Sequence, residues 1–177
     1  LQAVDVAASQ RAGTSALIAG LKAAMGGETA IVAASDKRRT KSGSLQELTY
    51  GDGAVALLLG GGDLVAELVG YHSETVDFVD HYRSEDQPYD YAWEERWIRD
   101  EGYMKIVPTV INTLFEKTGI TAADITSFCL PHVQQRTSLA VAKEAGIEEG
   151  CLAENLQASC GNTGVAHPLM MLASELE

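Results

Sequence analysis

Short apolar runs that alternate with helical stretches constrain the fold of this chain most. Ala30–Ser35 reads AIVAAS and Ala54–Leu59 reads AVALLL, and glycine or polar residues bound each run. In the segments that flank these runs, the apolar residues have the spacing of helices. A helix is expected over Ala12–Met25, and it should end at Gly26-Gly27. Buried strands separated by helices predict an α/β layer fold with a mostly parallel or mixed sheet.

The remaining elements follow from the same apolar spacing and from turn residues. Strands are expected over Ala3–Ser9 and Ile125–Leu130, a capped turn over Thr121–Asp124, and helices over Tyr103–Lys117, Ser138–Ala145 and Thr163–Glu177. Residues 73–102 are dense in Asp, Glu, Tyr and Trp without a clear period, which predicts an insertion or lid.

Length and composition limit the classes of protein. The 177 residues suffice for one ordinary domain or part of a larger one, and 46% apolar residues can form a core. A net charge of −12 argues against nucleic acid or an anionic membrane as the main partner. The best apolar run has six residues, far fewer than the roughly 20 of a membrane-spanning helix.

The cysteines and the chain ends add two expectations. Cys129, Cys151 and Cys160 are too few and too scattered for a disulfide scaffold or a zinc site, so we expect reduced thiols, no bound metal and a cytoplasmic protein. No initiator Met precedes Leu1, and the last predicted helix has no glycine stop, so the chain is expected to be cut at both ends.

Gln10 lies close to the amino end of the first predicted helix, in the stretch DVAASQRAGT. Free backbone N–H groups and the positive end of the helix dipole stabilise an oxyanion at such a position. A glutamine side chain can donate and accept hydrogen bonds, but it cannot accept an acyl group as a nucleophile. The alternative is an ordinary strand-to-helix junction.

His132 directly follows a predicted strand, at the edge where open α/β sheets usually bind their ligands. Its imidazole could act as a base or donate a hydrogen bond to a carbonyl oxygen. The alternative is a surface histidine in a loop. We interpret His72, His81 and His167 as structural or solvent-facing.

The stretch SCGNTG offers a third candidate. Gly161 permits a close backbone approach, and the Asn162 carboxamide could reach a bound carbonyl group. The alternative for Asn162 is helix capping. Cys160 is interpreted as a small buried residue rather than a nucleophile.

Two further segments have structural interpretations. Gly51-Asp52-Gly53 is typical of a turn with positive φ, and it lacks the spacing of a phosphate-binding loop. The basic segment Lys37–Lys41 is either a solvated loop or a contact for a phosphate or an acidic carrier protein.

Four blocks, in the order DVAASQRAGTSAL, TYGDGAVALLLG, LPHVQQ and CGNTGVAHP, resemble the thiolase superfamily and cover nearly the whole chain. The resemblance is to the branch of 3-oxoacyl-acyl-carrier-protein synthase III and 3-hydroxy-3-methylglutaryl-CoA synthase. It implies a layered α-β-α-β-α fold of two similar halves, incomplete here at both ends. Residues 1–62 would end the N-terminal half, and residues 63–177 would form most of the C-terminal half, with a lid-like insertion at 73–102.

The resemblance also implies a site and an activity. His132 and Asn162 match the catalytic His and Asn of the family, and Gln10 stands at the position of its nucleophilic Cys. Gln135 and Gly161 would contact the acyl thioester. The implied protein is a homodimeric acyltransferase of lipid biosynthesis that forms C–C bonds, takes a CoA or acyl-carrier-protein thioester as substrate, and holds no permanent cofactor.

Glutamine at position 10 leaves three alternatives open. The chain could decarboxylate a malonyl thioester, because two donors to the thioester oxygen suffice to stabilise an enolate. It could be an ordinary synthase with a deliberate Cys→Gln change. It could also be a catalytically silent partner of an active homologue.

Overall fold

The structure is a computed structural model that describes residues 2–7 and 9–177. These residues form two compact units, which we describe separately. The first contains the residues up to Arg38 together with Ser44–Glu67 and Leu156–Glu177, and the second contains Arg39–Gly43 and Leu68–Asn155. The division into family halves at residue 62 stays a prediction.

Most of the regular structure is helical. In chain order the elements are α1 (Ala12–Met25), β1 (Ala30–Asp36), α2 (Leu45–Thr49), β2 (Gly53–Leu59), β3 (His81–Tyr82), β4 (Tyr91–Ala92), α3 (Glu95–Trp97), α4 (Met104–Thr118), α5 (Gln135–Glu144), α6 (Gln157–Cys160) and α7 (His167–Leu176). A π-helical segment (Ile98–Tyr103) joins α3 to α4, and short 3-10 turns cover Ala122–Asp124, Glu149–Cys151 and Gly164–Ala166.

Helix α1 has the bounds that its sequence predicts. The Gly26 N–H group donates to Lys22 O and Ala23 O, and Gly27 adopts a φ of +88°, so the glycine pair ends the helix. Gly20 lies where α1 meets the sheet, because a Cβ there would come within 2.6 Å of Val32 Cγ2. The helix therefore packs on the sheet at a distance that only glycine allows.

The sheet of the first unit is antiparallel, not parallel or mixed as predicted. β1 pairs with β2 in a register that runs from Ala30↔Leu59 to Asp36↔Gly53. The chain returns through α2 and pairs with the strand that it has just left, which makes the two strands antiparallel. Among the described residues, parallel pairing is confined to the isolated bridges Tyr50↔Asn162 and Phe128↔Leu152.

The strands β1 and β2 are buried on one face only, whereas the sequence predicts burial on both. Val32 and Ala34 point into the core, where they pack with Ala166 and Leu169 and against residues of α1. The alternate residues are exposed, and Ile31 and its cross-strand partner Leu58 are 73% and 74% exposed. Helices α1 and α7 cover a single face of this sheet.

Two predicted strands are not strands in the structure. Residues 2–7 join neither sheet of the described residues, Ser9 lies in a bend, and Ala8 lies outside the described residues. Within Ile125–Leu130 only Phe128 forms a bridge, to Leu152. Their apolar patterns predicted strands, but a strand also needs a neighbouring strand to complete its hydrogen-bond ladder.

The second unit is built around α4 and α5. Ala142, Ala145 and Ile147 form its buried core, against which Ile111, Phe115 and Phe128 pack. Helix α4 contains the predicted Pro108 and ends at Gly119, whose φ is +72°. The capped turn is confirmed, because the backbone N–H and the hydroxyl of Thr121 both donate to Asp124 Oδ2, at 2.8 and 2.7 Å.

Three helices begin at other residues than predicted. Helix α5 begins at Gln135 rather than Ser138, and α4 begins at Met104 rather than Tyr103. Helix α7 begins at His167 rather than Thr163, because Asn162 pairs with Tyr50 and a 3-10 turn separates it from the helix.

The predicted insertion at 73–102 has little regular structure besides the β3–β4 hairpin and the helical residues that precede α4. Contacts between aromatic side chains hold this segment together, and the Phe78 and Trp97 rings stack with 4.6 Å between their centroids. Gly102 packs beneath Phe78, where a Cβ would come within 2.7 Å of the ring. The role of this segment as a lid stays a prediction.

The glycines of Gly51-Asp52-Gly53 do not have the positive φ that their sequence suggests. They are needed for close approach, since a Cβ at Gly51 would overlap the Cys160 carbonyl oxygen and a Cβ at Gly53 would lie 2.7 Å from the Thr163 side chain. Cys129, Cys151 and Cys160 form no disulfide with one another.

Candidate functional site

Asn162 is fixed by backbone pairing within the first unit. Its N–H donates to Thr49 O at 2.7 Å, and its carbonyl accepts from the Gly51 N–H at 3.1 Å, so it forms a parallel bridge with Tyr50. Gly161 precedes it with a φ of +68°. The backbone of Asn162 is therefore held like a strand residue, not like a helix cap.

The Asn162 side chain is oriented by two donors. Its Oδ1 accepts a hydrogen bond from Arg38 Nη2 at 2.8 Å and another from the Gly164 N–H at 3.0 Å. Because both donors require an oxygen, the contacts identify which end of the carboxamide is Oδ1. Nδ2 has no hydrogen-bond partner among the described residues, so Asn162 has N–H groups to offer a ligand.

Arg38 departs from the solvated-loop interpretation of the basic segment. Its side chain is only 5% exposed, and its guanidinium lies 3.5 Å from the centroid of the Tyr50 ring. Nε lies 3.9 Å from Asp36 Oδ2, which also accepts the Val165 N–H at 3.1 Å. Lys37, next to it, is 86% exposed and fits the solvated loop.

Thr163, which follows Asn162 in the chain, is held in place by His167. Both are buried, and His167 Nδ1 lies 3.3 Å from the Thr163 N–H nitrogen and 3.1 Å from its hydroxyl oxygen. His167 is thus enclosed within the first unit and bonded to its own turn, which agrees with its interpretation as structural.

Gln10 lies in the turn directly before α1, as its sequence predicts. Arg11 is the N-cap residue, and no side chain caps the helix from that position. Gln10 is exposed. Its side chain is therefore available to a ligand near the positive end of the α1 dipole.

His132 belongs to the second unit, where backbone contacts orient its ring. Nδ1 accepts the Gln134 N–H at 2.9 Å, and it also lies 3.1 Å from Gln134 O. The Gln134 side chain is itself bonded to Glu95. Nδ1 thus has both the N–H group and the carbonyl oxygen of Gln134 within reach, and when it accepts, the neutral imidazole carries its proton on Nε2, which is then a donor.

The surroundings of His132 favour the neutral imidazole. Burial lowers the pKa of His132, outweighing the contact of Nδ1 with the Gln134 carbonyl oxygen and the charges of Glu95 and Asp80, which raise it. The ring of Tyr103 packs edge-on against it, with 4.4 Å between centroids. Burial, with the Asp80 carboxylate adding to it, raises the pKa of Tyr103 to about 12, so the phenol is protonated at neutral pH.

Gln135 and Gly161, the expected thioester contacts, have backbone roles in the structure. Gln135 is the first residue of α5, and its Nε2 donates to Ala153 O at 3.4 Å. Gly161 supports the approach of Asn162 to the backbone of residues 49–51, since a Cβ there would come within 3.0 Å of Thr49 O and of Gly51 N. Their contact with a thioester stays a prediction, as do the roles of Gln10, His132 and Asn162.

The structure thus groups Asn162 with Arg38 in the first unit and His132 with Tyr103 and Gln134 in the second. Sequence reasoning did not select Tyr103 or Gln134, and it treated Arg38 only as part of the basic segment Lys37–Lys41. Arg38 follows a strand end, the same signal that selected His132, but the charges beside it suggested a loop.

In the described part of the chain, no three or more His, Cys, Asp or Glu side chains are grouped so that they could share a metal ion. Within residues 2–7 and 9–177, no helix combines the length and the apolar character that crossing a membrane requires.

No protein-family model matches the chain. Among curated proteins it is similar to hydroxymethylglutaryl-CoA synthase of Methanothermobacter thermautotrophicus, with 27% identity over 154 residues that make up 84% of this chain and 43% of the relative. Two further archaeal hydroxymethylglutaryl-CoA synthases match at 27–28% identity. The chain spans about half the length of the curated relatives it matches.

Solved structures agree on the fold. A crystal structure of HMG-CoA synthase complexed with CoA matches with a TM-score of 0.73 at 19% identity, over 93% of this chain and 46% of the other. The 3-oxoacyl-(acyl carrier protein) synthase III of Pseudomonas aeruginosa matches with a TM-score of 0.75 at 18% identity, over 94% of this chain and 55% of the other. The thiolase-like fold is confirmed, and the similar proteins belong to the predicted branch.

Proposed function

We propose that this chain, which is related to the 3-oxoacyl-acyl-carrier-protein synthase III and HMG-CoA synthase branch of the thiolase superfamily, binds an acyl thioester and stabilises negative charge on its carbonyl oxygen. Asn162 and His132 are the two donors to that oxygen, and Gln10 lines the site at the nucleophile position. Gln135 and Gly161 contribute to thioester binding.

One observation carries this proposal. In Asn162 and in His132 alike, the acceptor atom of the side chain is already bonded within its own unit, to Arg38 and Gly164 or to Gln134. Asn162 therefore presents its Nδ2–H groups, and His132 presents Nε2–H when its Nδ1 accepts from Gln134. Donors fixed before the reaction are what an oxyanion site requires.

Gln10 decides which reactions the site can support. The lone pair of a carboxamide nitrogen is delocalised, so Gln10 cannot take up an acyl group as a cysteine thiolate does. Decarboxylation of a malonyl thioester needs no such acceptor. The bond between the carboxylate and the α-carbon breaks, CO₂ leaves, the electron pair forms an enolate whose oxygen Asn162 and His132 stabilise, and a proton from water then yields the acetyl thioester.

At the level of enzyme class, we assign the chain to the condensing acyltransferases and to lipid biosynthesis, on its similarity to the related synthases. Its substrate is a CoA or acyl-carrier-protein thioester, and the protein is a homodimer. A synthase altered at position 10 and a silent partner of an active homologue are the competing assignments.

The test is an assay of the protein with malonyl-CoA and acetoacetyl-CoA, following CO₂ and free thiol. We expect CO₂ release from malonyl-CoA without release of free CoA, and a loss of about 10²-fold or more in Asn162→Ala. Turnover that appears only in Gln10→Cys would instead indicate an altered synthase. No turnover in either form would favour the silent partner and contradict the proposal.

A further inference from the structure

We propose that Arg38 is a positioning residue that orients and polarises the Asn162 carboxamide, so that Nδ2 donates to the substrate oxygen. The inference rests on the proposed role of Asn162 as an oxyanion donor. It adds a cation to the site that does not itself touch the substrate.

The geometry of the contact restricts the Asn162 side chain. A single nitrogen, Arg38 Nη2, donates both to Asn162 Oδ1 and to the backbone carbonyl oxygen of Asn162, each at 2.8 Å. Bridging the side chain and the backbone of one residue limits rotation about the side-chain torsions between them. The Gly164 N–H holds Oδ1 from a second direction, at 3.0 Å.

Arg38 is itself held rigidly enough to do this. Its side chain is 5% exposed and stacks on the Tyr50 ring, while Tyr50 pairs through its backbone with Asn162. A lysine has neither the planar group that stacks on an aromatic ring nor the fixed direction of guanidinium N–H groups. The site therefore specifies arginine rather than any positive charge.

The charge of Arg38 also acts on the donor strength of Asn162. A hydrogen bond from a cation is stronger than one from a neutral donor, and it draws electron density toward Oδ1. Because the carboxamide is conjugated, this makes the Nδ2–H groups more positive and better donors, as in other hydrogen-bonded chains.

An ion pair with Asp36 explains the placement of Arg38 less well than the contact with Asn162 does. Its Nε lies 3.9 Å from Asp36 Oδ2, whereas both 2.8 Å contacts of Nη2 are with Asn162. Asp36 Oδ2 also accepts the Val165 N–H at 3.1 Å and so braces the turn that follows Asn162. Both of these Nη2 hydrogen bonds thus converge on Asn162.

The first test is NMR spectroscopy of the Asn162 side-chain amide, assigned by its loss in Asn162→Asp. In Arg38→Gln we expect the Nδ2 resonance to move toward the position of exposed asparagines. In Arg39→Gln, which removes the same charge from an exposed neighbour, it should stay in place. An unmoved resonance in Arg38→Gln would overturn the inference.

Arg38→Lys provides a second variant in case Arg38→Gln does not fold. It keeps the positive charge but loses the two hydrogen bonds of Nη2 to Asn162, so the Nδ2 resonance should move by part of the change expected for Arg38→Gln. A resonance unchanged in this variant would equally overturn the specific role of arginine.

The second test is kinetic and uses malonyl-CoA. Arg38→Gln should lower kcat about tenfold or more with little change in KM, since the donor acts on the charge that develops during the reaction. Arg39→Gln should keep the wild-type kcat. An unchanged kcat in Arg38→Gln, with a loss in Asn162→Ala, would overturn the inference. If the wild-type protein has no turnover, the proposed function fails, and the NMR result alone decides on Arg38.

Discussion

At the scale of single residues, Gly164 occupies a tightly packed point of the network around Asn162. Its φ is +60°, and a Cβ there would overlap the Asp36 carboxylate and come within 3.1 Å of Arg38 Nε. Its N–H is also one of the two donors to Asn162 Oδ1. The backbone conformation and the close packing both require glycine at this position.

Gly164→Ala should therefore destabilise the protein by about 2 kcal/mol or more, since it combines a left-handed alanine with a clash. Gly150→Ala is the matched control, because Gly150 has open space around it and no positive φ, and it should change stability by about 0.5 kcal/mol or less. Denaturant unfolding of both variants provides the measurement. Equal stabilities would show that the network tolerates a side chain there.

The second residue-scale prediction concerns the protonation of His132. Because burial lowers its pKa in the folded protein below the ordinary 6.5, unfolded His132 binds a proton at a higher pH than folded His132. Its contribution to stability is thus complete above pH 6.5 and is lost as the pH falls through 6.5 toward the folded pKa.

NMR titration of the His132 ring, assigned with His132→Gln, should give a midpoint below 6.5, with the proton of the neutral form on Nε2. A midpoint above 6.5, or a neutral form protonated on Nδ1, would contradict the orientation that we infer from Gln134.

At the scale of elements, α7 closes the core of the first unit. Leu169 is 1% exposed and packs with Val32 and Ala34 of β1, whereas Leu176 at the end of the same helix is 38% exposed. The helix therefore contributes to stability mainly through its buried face, and its last turn contributes little.

Leu169→Ala should lower the free energy of unfolding by about 2–5 kcal/mol through lost burial and the cavity left behind. Leu176→Ala makes the same chemical change at an exposed position and should cost about 1 kcal/mol or less. Thermal or denaturant unfolding distinguishes the two variants. Similar costs would mean that α7 does not pack on β1 as described.

The helices and strands differ in how well the sequence predicts them. The bounds of α1 follow from local signals, since helix spacing and the glycine stop lie within the helix itself. The strand predicted at Ile125–Leu130 fails because pairing depends on residues elsewhere in the chain. The contact of Arg38 with Asn162 joins residues 124 positions apart, so local charge patterning alone favoured a solvated loop.

At the scale of the whole molecule, the exposed face of the β1–β2 sheet is apolar despite a net charge of −12. Ile31 and Leu58 form an exposed cross-strand pair on it, and Leu48 and Val65 elsewhere on the first unit are 84% and 81% exposed. Exposed apolar surface of this kind favours association in water.

We therefore expect the chain to associate as its concentration rises. The double variant Ile31→Lys/Leu58→Glu keeps an attractive cross-strand pair but removes the apolar contact, so it should be more monomeric. Sedimentation velocity over a range of concentrations measures both proteins. A wild-type monomer with a sharp, concentration-independent melt would contradict this expectation.

The proposed role of Asn162 and His132 as donors to a thioester oxygen is tested most directly by ¹³C NMR of acetyl-CoA labelled at the thioester carbonyl. Hydrogen bonds to that oxygen should shift the bound carbonyl resonance downfield from the free value, and Asn162→Ala and His132→Ala should each reduce the shift. A labelled thioester that binds with its carbonyl resonance unshifted, or with a shift that neither variant changes, would contradict the account.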